Sequence, residues 1–221
     1  MKDVKEHRVE ILTGQYPAAS GEEQETVKRI FGEDAAYCFE LYFHWYNIIH
    51  ELGHAIYDLH CPQRHDAMEE EQWVNYFAVA YWRHYGEPEK LQQLADFVKG
   101  ALGRCTVPEE YAGDLLQYGR EAWEKGTLYT FNNYGFFQFG CVVRALSREV
   151  TLEQVLRDMG IAGISLQEKR LLSYPVDARM PERVLADAGA CLKGWGVALP
   201  EDMKVVFVED PNCQMCKVEK R

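Results

Sequence analysis

Apolar residues recur at three- and four-residue steps through most of this chain, the period of helices that turn one face to a core. The stripe is sharpest at Trp45, Ile48, Ile49, Leu52, Ile56 and Leu59, on a helix that begins near Asp34 and reads clearly over residues 46–59. A partner helix follows from about residue 67 to 84, opened by Asp66 as N-cap with Glu69 three places on, and stopped by Gly86. Upstream, Ser20 and Glu23 form a capping box that opens a helix to Phe31, before Gly32. Pro88 opens a helix to about residue 99. Thr106 with Glu109, and Pro108 in the first turn, predict another to about residue 125, closed by Gly126. Residues 129–140, dense in aromatics and amides, are read as a helix running on through Val142 and Leu146 in spite of Gly135 and Gly140. Shorter helices are expected at 151–159 and 181–192, and strands at 8–12 and 204–209. The predicted class is mainly α (α+β), with a small antiparallel sheet.

With 221 residues, the chain is long enough to bury a sizeable core as one domain. Pro175, Pro181, Pro200 and Pro211 break up its last stretch, so residues 175–221 could form a small helical appendage. The formal charge of −11 argues against direct nucleic-acid binding and against an anionic membrane surface, since both reward clustered Lys and Arg. No apolar run approaches the length of a bilayer span, and the first residues lack the apolar segment of a secretory signal. Seven scattered cysteines, an odd number, fit reduced thiols better than a disulfide framework. A cytoplasmic protein is expected. Cys213 and Cys216 form a C-x-x-C pair, but the other cysteines are single, so a complete structural zinc site would need ligands from elsewhere.

Candidate chemistry lies on the first of the two long helices. Residues 50–54 read His-Glu-Leu-Gly-His. Side chains four apart on a helix sit one above the other, so His50 and His54 can present imidazole nitrogens to one tetrahedral ion, and Glu51 is placed to act as base on a water that the ion activates. Two metal ligands and a base then come from a single turn. The apolar stripe beside them packs this helix inside the protein, which would hold the ligands rigidly.

An open catalytic zinc site takes three protein ligands, so one more is required. Glu71 is favoured: it and Asn75 are four apart on one face, where the carboxylate could ligate and Asn75 could support a ligand histidine by a hydrogen bond to its free ring nitrogen. His60 lies six residues after His54, the spacing of three-histidine sites. Such sites need a glycine to turn the chain between the second and third histidines, however, and Tyr57 occupies that place. Glu69, Glu70 and His65 are further alternatives. Negative charge at Glu69 to Glu71 would also suit an ordinary helix N-terminus.

The His-Glu-Leu-Gly-His pentapeptide, followed by Glu71 and Asn75 and then Phe77-Ala78, resembles the ImmA/IrrE family of metallopeptidases, over about residues 40–85. The resemblance implies a gluzincin-type, zincin-like helical domain with His50, His54 and Glu71 as zinc ligands and Glu51 as catalytic acid and base. Members usually continue from the Phe-Ala into a leucine-rich run ending in Met-Pro. Here the chain reads Val79-Ala80-Tyr81-Trp82-Arg83-His84-Tyr85-Gly86 instead. Many relatives inactivate a helix-turn-helix repressor, so the expected partner is a peptide or protein substrate, with such a repressor as the family's example.

The functional expectation is therefore peptide-bond hydrolysis dependent on Zn2+. Tyr129, Tyr134, His84 and His44 are chemically suited to stabilise the oxyanion that forms. The rival expectation is a non-catalytic metal-binding or interaction protein with a structural zinc at the same residues, which would show a fourth protein ligand.

Overall fold

The computed structural model describes residues 8–61, 65–164 and 168–208, together with the backbone of 218–220; Cys213 and Cys216 lie outside the described residues. Most of the chain is helical, as the apolar periodicity predicts. Strand β1 (Arg8–Thr13) leads into α1 (Gly21–Phe31), where the Ser20–Glu23 capping box forms as read and Gly32 ends the helix. The motif helix is less regular than expected. A short α2 (Ala35–Phe39) passes into a π-helical segment (Glu40–Tyr46) and then into α3 (Asn47–His60), all in one continuous run. A π-helical turn inserts a residue and resets the phase of the faces on either side.

Helix α4 (Ala67–Tyr85) runs back along α3. Gly53 makes this approach possible: a Cβ there would lie 3.0 Å from Phe77 Cδ1 and 3.1 Å from Val74 Cβ, tighter than ordinary contact. The indoles of Trp45 and Trp82 stack with centroids 3.9 Å apart. Next come α5 (Pro88–Arg104), α6 (Leu115–Glu124), α7 (Phe131–Ser147), α8 (Leu152–Asp158) and α9 (Met180–Gly194). Helix α7 lies across α4 and α5, and α9 covers α3. Residues 175–208 thus supply α9 and a strand, and Met180, Val184, Ala188 and Leu192 join the same buried core as α3 and α4.

One helix starts later than the sequence suggests. The capping signals at Thr106 and Pro108 do not open a helix; α6 begins at Leu115, where the Asp114 carboxylate accepts from the Leu116 and Gln117 amides. The Thr106 main chain is engaged elsewhere, since Asn132 accepts from its N–H at 2.8 Å and donates to its carbonyl at 2.9 Å.

The sheet also corrects an expectation. It has the order β2-β1-β3, with β2 spanning Asp202–Phe207 and β3 spanning Val218–Lys220. Strands β1 and β2 pair in parallel, Arg8 opposite Asp202 through Thr13 opposite Phe207, and only β3 is antiparallel to β1. A parallel pair needs a long crossover, and the whole helical body between Thr13 and Asp202 provides it. Val9, Ile11 and Thr13 alternate into the core while Arg8 and Glu10 reach Asp202 and Lys204 across the strand edge. Among the described residues no helix is long and apolar enough to cross a membrane.

Candidate metal centre

His50 and His54 are one turn apart on α3, and Glu71 faces both from the second turn of α4. Glu71 Oε2 lies 3.3 Å from His50 Nε2, and Glu71 Oε1 lies 3.6 Å from His54 Nε2. The three donor atoms are all within 4.8 Å of one another. Donors on one tetrahedral ion with bonds of about 2.0–2.1 Å stand about 3.3 Å apart, and the Glu71 carboxylate approaches each histidine at about that separation. His50, His54 and Glu71 could hold a metal ion.

The surroundings orient these donors. His54 Nδ1 lies 2.7 Å from Glu70 Oε1, a contact that orients the ring with Nε2 toward Glu71. Gln138 of α7 donates from Nε2 to Glu71 Oε2 at 2.7 Å and thereby ties the carboxylate to a third helix. His50 is buried, and its Nδ1 has no hydrogen-bond partner among the described residues. Burial alone would raise the Glu71 carboxyl, but the two histidines outweigh it and hold the group well below the usual carboxylate range. Burial would likewise lower the His54 imidazole, and there Glu71 and Glu70 prevail and hold it well above its usual value.

Glu51 follows His50 on α3 and is 6 % exposed. Burial, reinforced by the charge of Glu71, raises its carboxyl, while His50, His54 and the hydrogen bond from Asn47 pull the other way. Asn47, one turn earlier, donates from Nδ2 to Glu51 Oε1 at 3.0 Å. Glu51 and Asn47 line a cleft together with Tyr42, Phe43, Tyr134, Gln138 and Phe139. A largely desolvated carboxylate that lines a cleft next to a possible cation site could transfer a proton.

Other expected positions resolve differently. Asn75 hydrogen-bonds to neither ligand histidine among the described residues: its Nδ2 donates to the Glu71 carbonyl at 2.8 Å and to Gln138 Oε1 at 3.4 Å, and its Oδ1 accepts from Tyr46 at 2.7 Å. It braces the first turns of α4 and the Gln138 amide, and the histidine is oriented by Glu70 instead. His60 is turned away, with Nε2 on the Ala198 carbonyl, Glu69 pairs with Arg120, and His65 meets Tyr57. Of the four candidates for oxyanion stabilisation, only Tyr134 lines the cleft. Tyr129 is exposed beside Trp123, His84 packs on Trp195, and His44 is bound between Glu40 and the Gly14 carbonyl. Neither Gln138 nor Asn47 belongs to the sequence motif. Asn47 lies one turn before Glu51, a spacing visible in the sequence, whereas Gln138 is 67 residues from Glu71 and carries no local signal.

This chain matches no protein-family model, no curated protein and no solved structure.

Proposed function

We propose that this protein is a zinc-dependent peptidase of gluzincin type, with His50, His54 and Glu71 as metal ligands and Glu51 as general base. The observation that carries this reading is the convergence of one donor atom each from His50, His54 and Glu71 within 4.8 Å of one another, beside a buried carboxylate that lines a cleft. Two imidazoles and one carboxylate suit zinc, and the cluster stops at three such residues among those described. A structural site would be closed by a fourth protein ligand, so the number of protein ligands on bound zinc separates hydrolysis from the structural alternative.

When bound, zinc supplies Lewis-acid polarisation of a carbonyl and lowers the pKa of a coordinated water. Glu51 receives a proton from the attacking water and returns it to the leaving amine nitrogen. Asn47 holds the Glu51 carboxylate in line through its amide. Glu70 and Gln138 keep His54 and Glu71 from rotating, so the ligand set is formed before substrate arrives. A peptide or protein is the expected substrate, and the resemblance to ImmA/IrrE peptidases makes a helix-turn-helix repressor the first protein to try. A cytoplasmic setting goes with cysteines that are not in disulfides, as at Cys38, Cys61, Cys105, Cys141 and Cys191.

The test is metal content by elemental analysis, after purification without chelators or a metal-binding tag. The expected result is about one zinc per chain in the wild type, lost in His50→Ala and Glu71→Ala. Absence of stoichiometric zinc in the wild type, even after zinc is added back, would overturn the reading.

A further inference from the structure

We infer that Tyr134 is a catalytic residue that donates its phenolic hydrogen to the carbonyl oxygen of the scissile bond as that oxygen becomes an oxyanion. This rests on the peptidase reading above and names a part of the machinery which the metal ligands and Glu51 do not supply.

The geometry begins with α7. Its N-cap, Thr130, accepts from the Asn133 amide and fixes where the helix starts, so Tyr134 and Gln138 stand four apart on one face. Gln138 Nε2 is shared: it lies 2.7 Å from Glu71 Oε2 and 3.1 Å from the Tyr134 hydroxyl. One amide nitrogen therefore links the phenol to a metal ligand. Because the Tyr134 oxygen accepts this hydrogen bond, its own hydrogen must point elsewhere. None of the hydrogen bonds among the described residues takes that hydrogen, although Tyr134 is half-buried and shares the cleft with Glu51. A phenol keeps its proton at neutral pH, so the donor is present throughout.

An unspent donor is the group that peptide hydrolysis requires there. As the water oxygen bonds to the carbonyl carbon, Glu51 takes the water proton and the carbonyl π pair moves onto oxygen. Tyr134 donates a hydrogen bond to that oxygen and keeps its proton. When the C–N bond breaks, the pair returns to form the carboxylic product and Glu51 delivers its proton to the departing nitrogen. The hydrogen bond is stronger to the oxyanion than to the neutral carbonyl, so it lowers the barrier more than it strengthens substrate binding.

The experiment uses Tyr134→Phe in the full, zinc-loaded chain, which removes the hydroxyl and keeps the ring. Three readouts are taken: zinc content, hydrolysis of a tryptic casein digest, and affinity for a phosphinic peptide with Phe and Ala on either side of the phosphinate, whose charged oxygen mimics the oxyanion. The expected result is unchanged zinc and melting temperature, a loss of about 100-fold or more in kcat with little change in KM, and a comparable loss of phosphinate affinity. Binding of the matching unmodified peptide to Glu51→Gln should be indifferent to the added Tyr134→Phe change. Equal kcat and equal phosphinate affinity in wild type and Tyr134→Phe would overturn the role of Tyr134 and leave the peptidase reading intact. A zinc-loaded wild type that neither hydrolyses the digest nor binds the phosphinate would overturn both.

Discussion

His54 is held from both sides: Nδ1 lies 2.7 Å from Glu70 Oε1, and Nε2 faces Glu71 Oε1 at 3.6 Å. Consecutive residues on one helix do not share a face, yet Glu70 and Glu71 reach opposite edges of the same imidazole because α4 passes alongside it. One carboxylate orients the ring and the next stands where a ligand must.

Removing the orienting group should weaken metal binding without abolishing it. Glu70→Ala is expected to lower zinc affinity by about 10–100-fold, measured by competition with a chromogenic chelator. Glu70→Gln, whose amide oxygen can still accept from Nδ1, should lose less, and Glu71→Ala should lose more than either. Unchanged affinity in Glu70→Ala would show that the Glu70 contact does not orient His54.

Glu51→Gln separates binding from chemistry. The amide keeps the shape of the carboxylate and cannot accept a proton, so zinc content should match the wild type while peptide turnover falls by about 10²–10⁴-fold. Turnover retained at the wild-type rate would refute the role given to Glu51.

Gly53, next to His54, lies on α3 against Val74 and Phe77 of α4. Gly→Ala inside a helix usually stabilises by about 1 kcal/mol, but here the new methyl meets Val74 Cβ, which cannot give way unless α4 itself moves. Gly53→Ala should therefore lower the melting temperature and weaken zinc binding together, because the same shift carries Glu71 away from the histidines. A rise in melting temperature with zinc affinity intact would show that the helices tolerate the separation.

Asp66 caps α4 and pairs with Arg120. Burial is the largest single influence and opposes its charge, but the Glu69 amide, the Arg120 guanidinium and the Met68 amide together outweigh it and hold its carboxyl below the usual aspartate value. A group depressed in the folded state stabilises fully above its unfolded pKa, and that contribution is lost as pH falls through the folded value. Asp66→Ala should cost about 1 kcal/mol at neutral pH. The gap between the two proteins, followed by denaturant melts, should close as the pH drops below the ordinary aspartate range, and a gap independent of pH would remove the carboxylate from the explanation.

The helices were legible because their signals are local: the Ser20–Glu23 box, the Asp66 cap and the stripe on α3 each act within one or two turns. Thr106 carried the same kind of signal and failed, because Asn132, distant in sequence, had already taken its main-chain groups. The direction of β2 was hidden for a similar reason, since strand pairing across a long crossover leaves no mark in either strand's alternation.

The sequence alone determined that His50 and His54 share a helix face, that Glu51 accompanies them, and that a glutamate one helix later could join them, since a helix turn fixes those relations. Only the tertiary structure decided that Glu71 meets both histidines while Glu70 turns to the far edge of His54, that Asn75 braces rather than orients, and that Gln138 and Tyr134 arrive from α7. These depend on how closely α3, α4 and α7 approach. That distance is set by Gly53 and the packed side chains around it, and no local period in the chain encodes it.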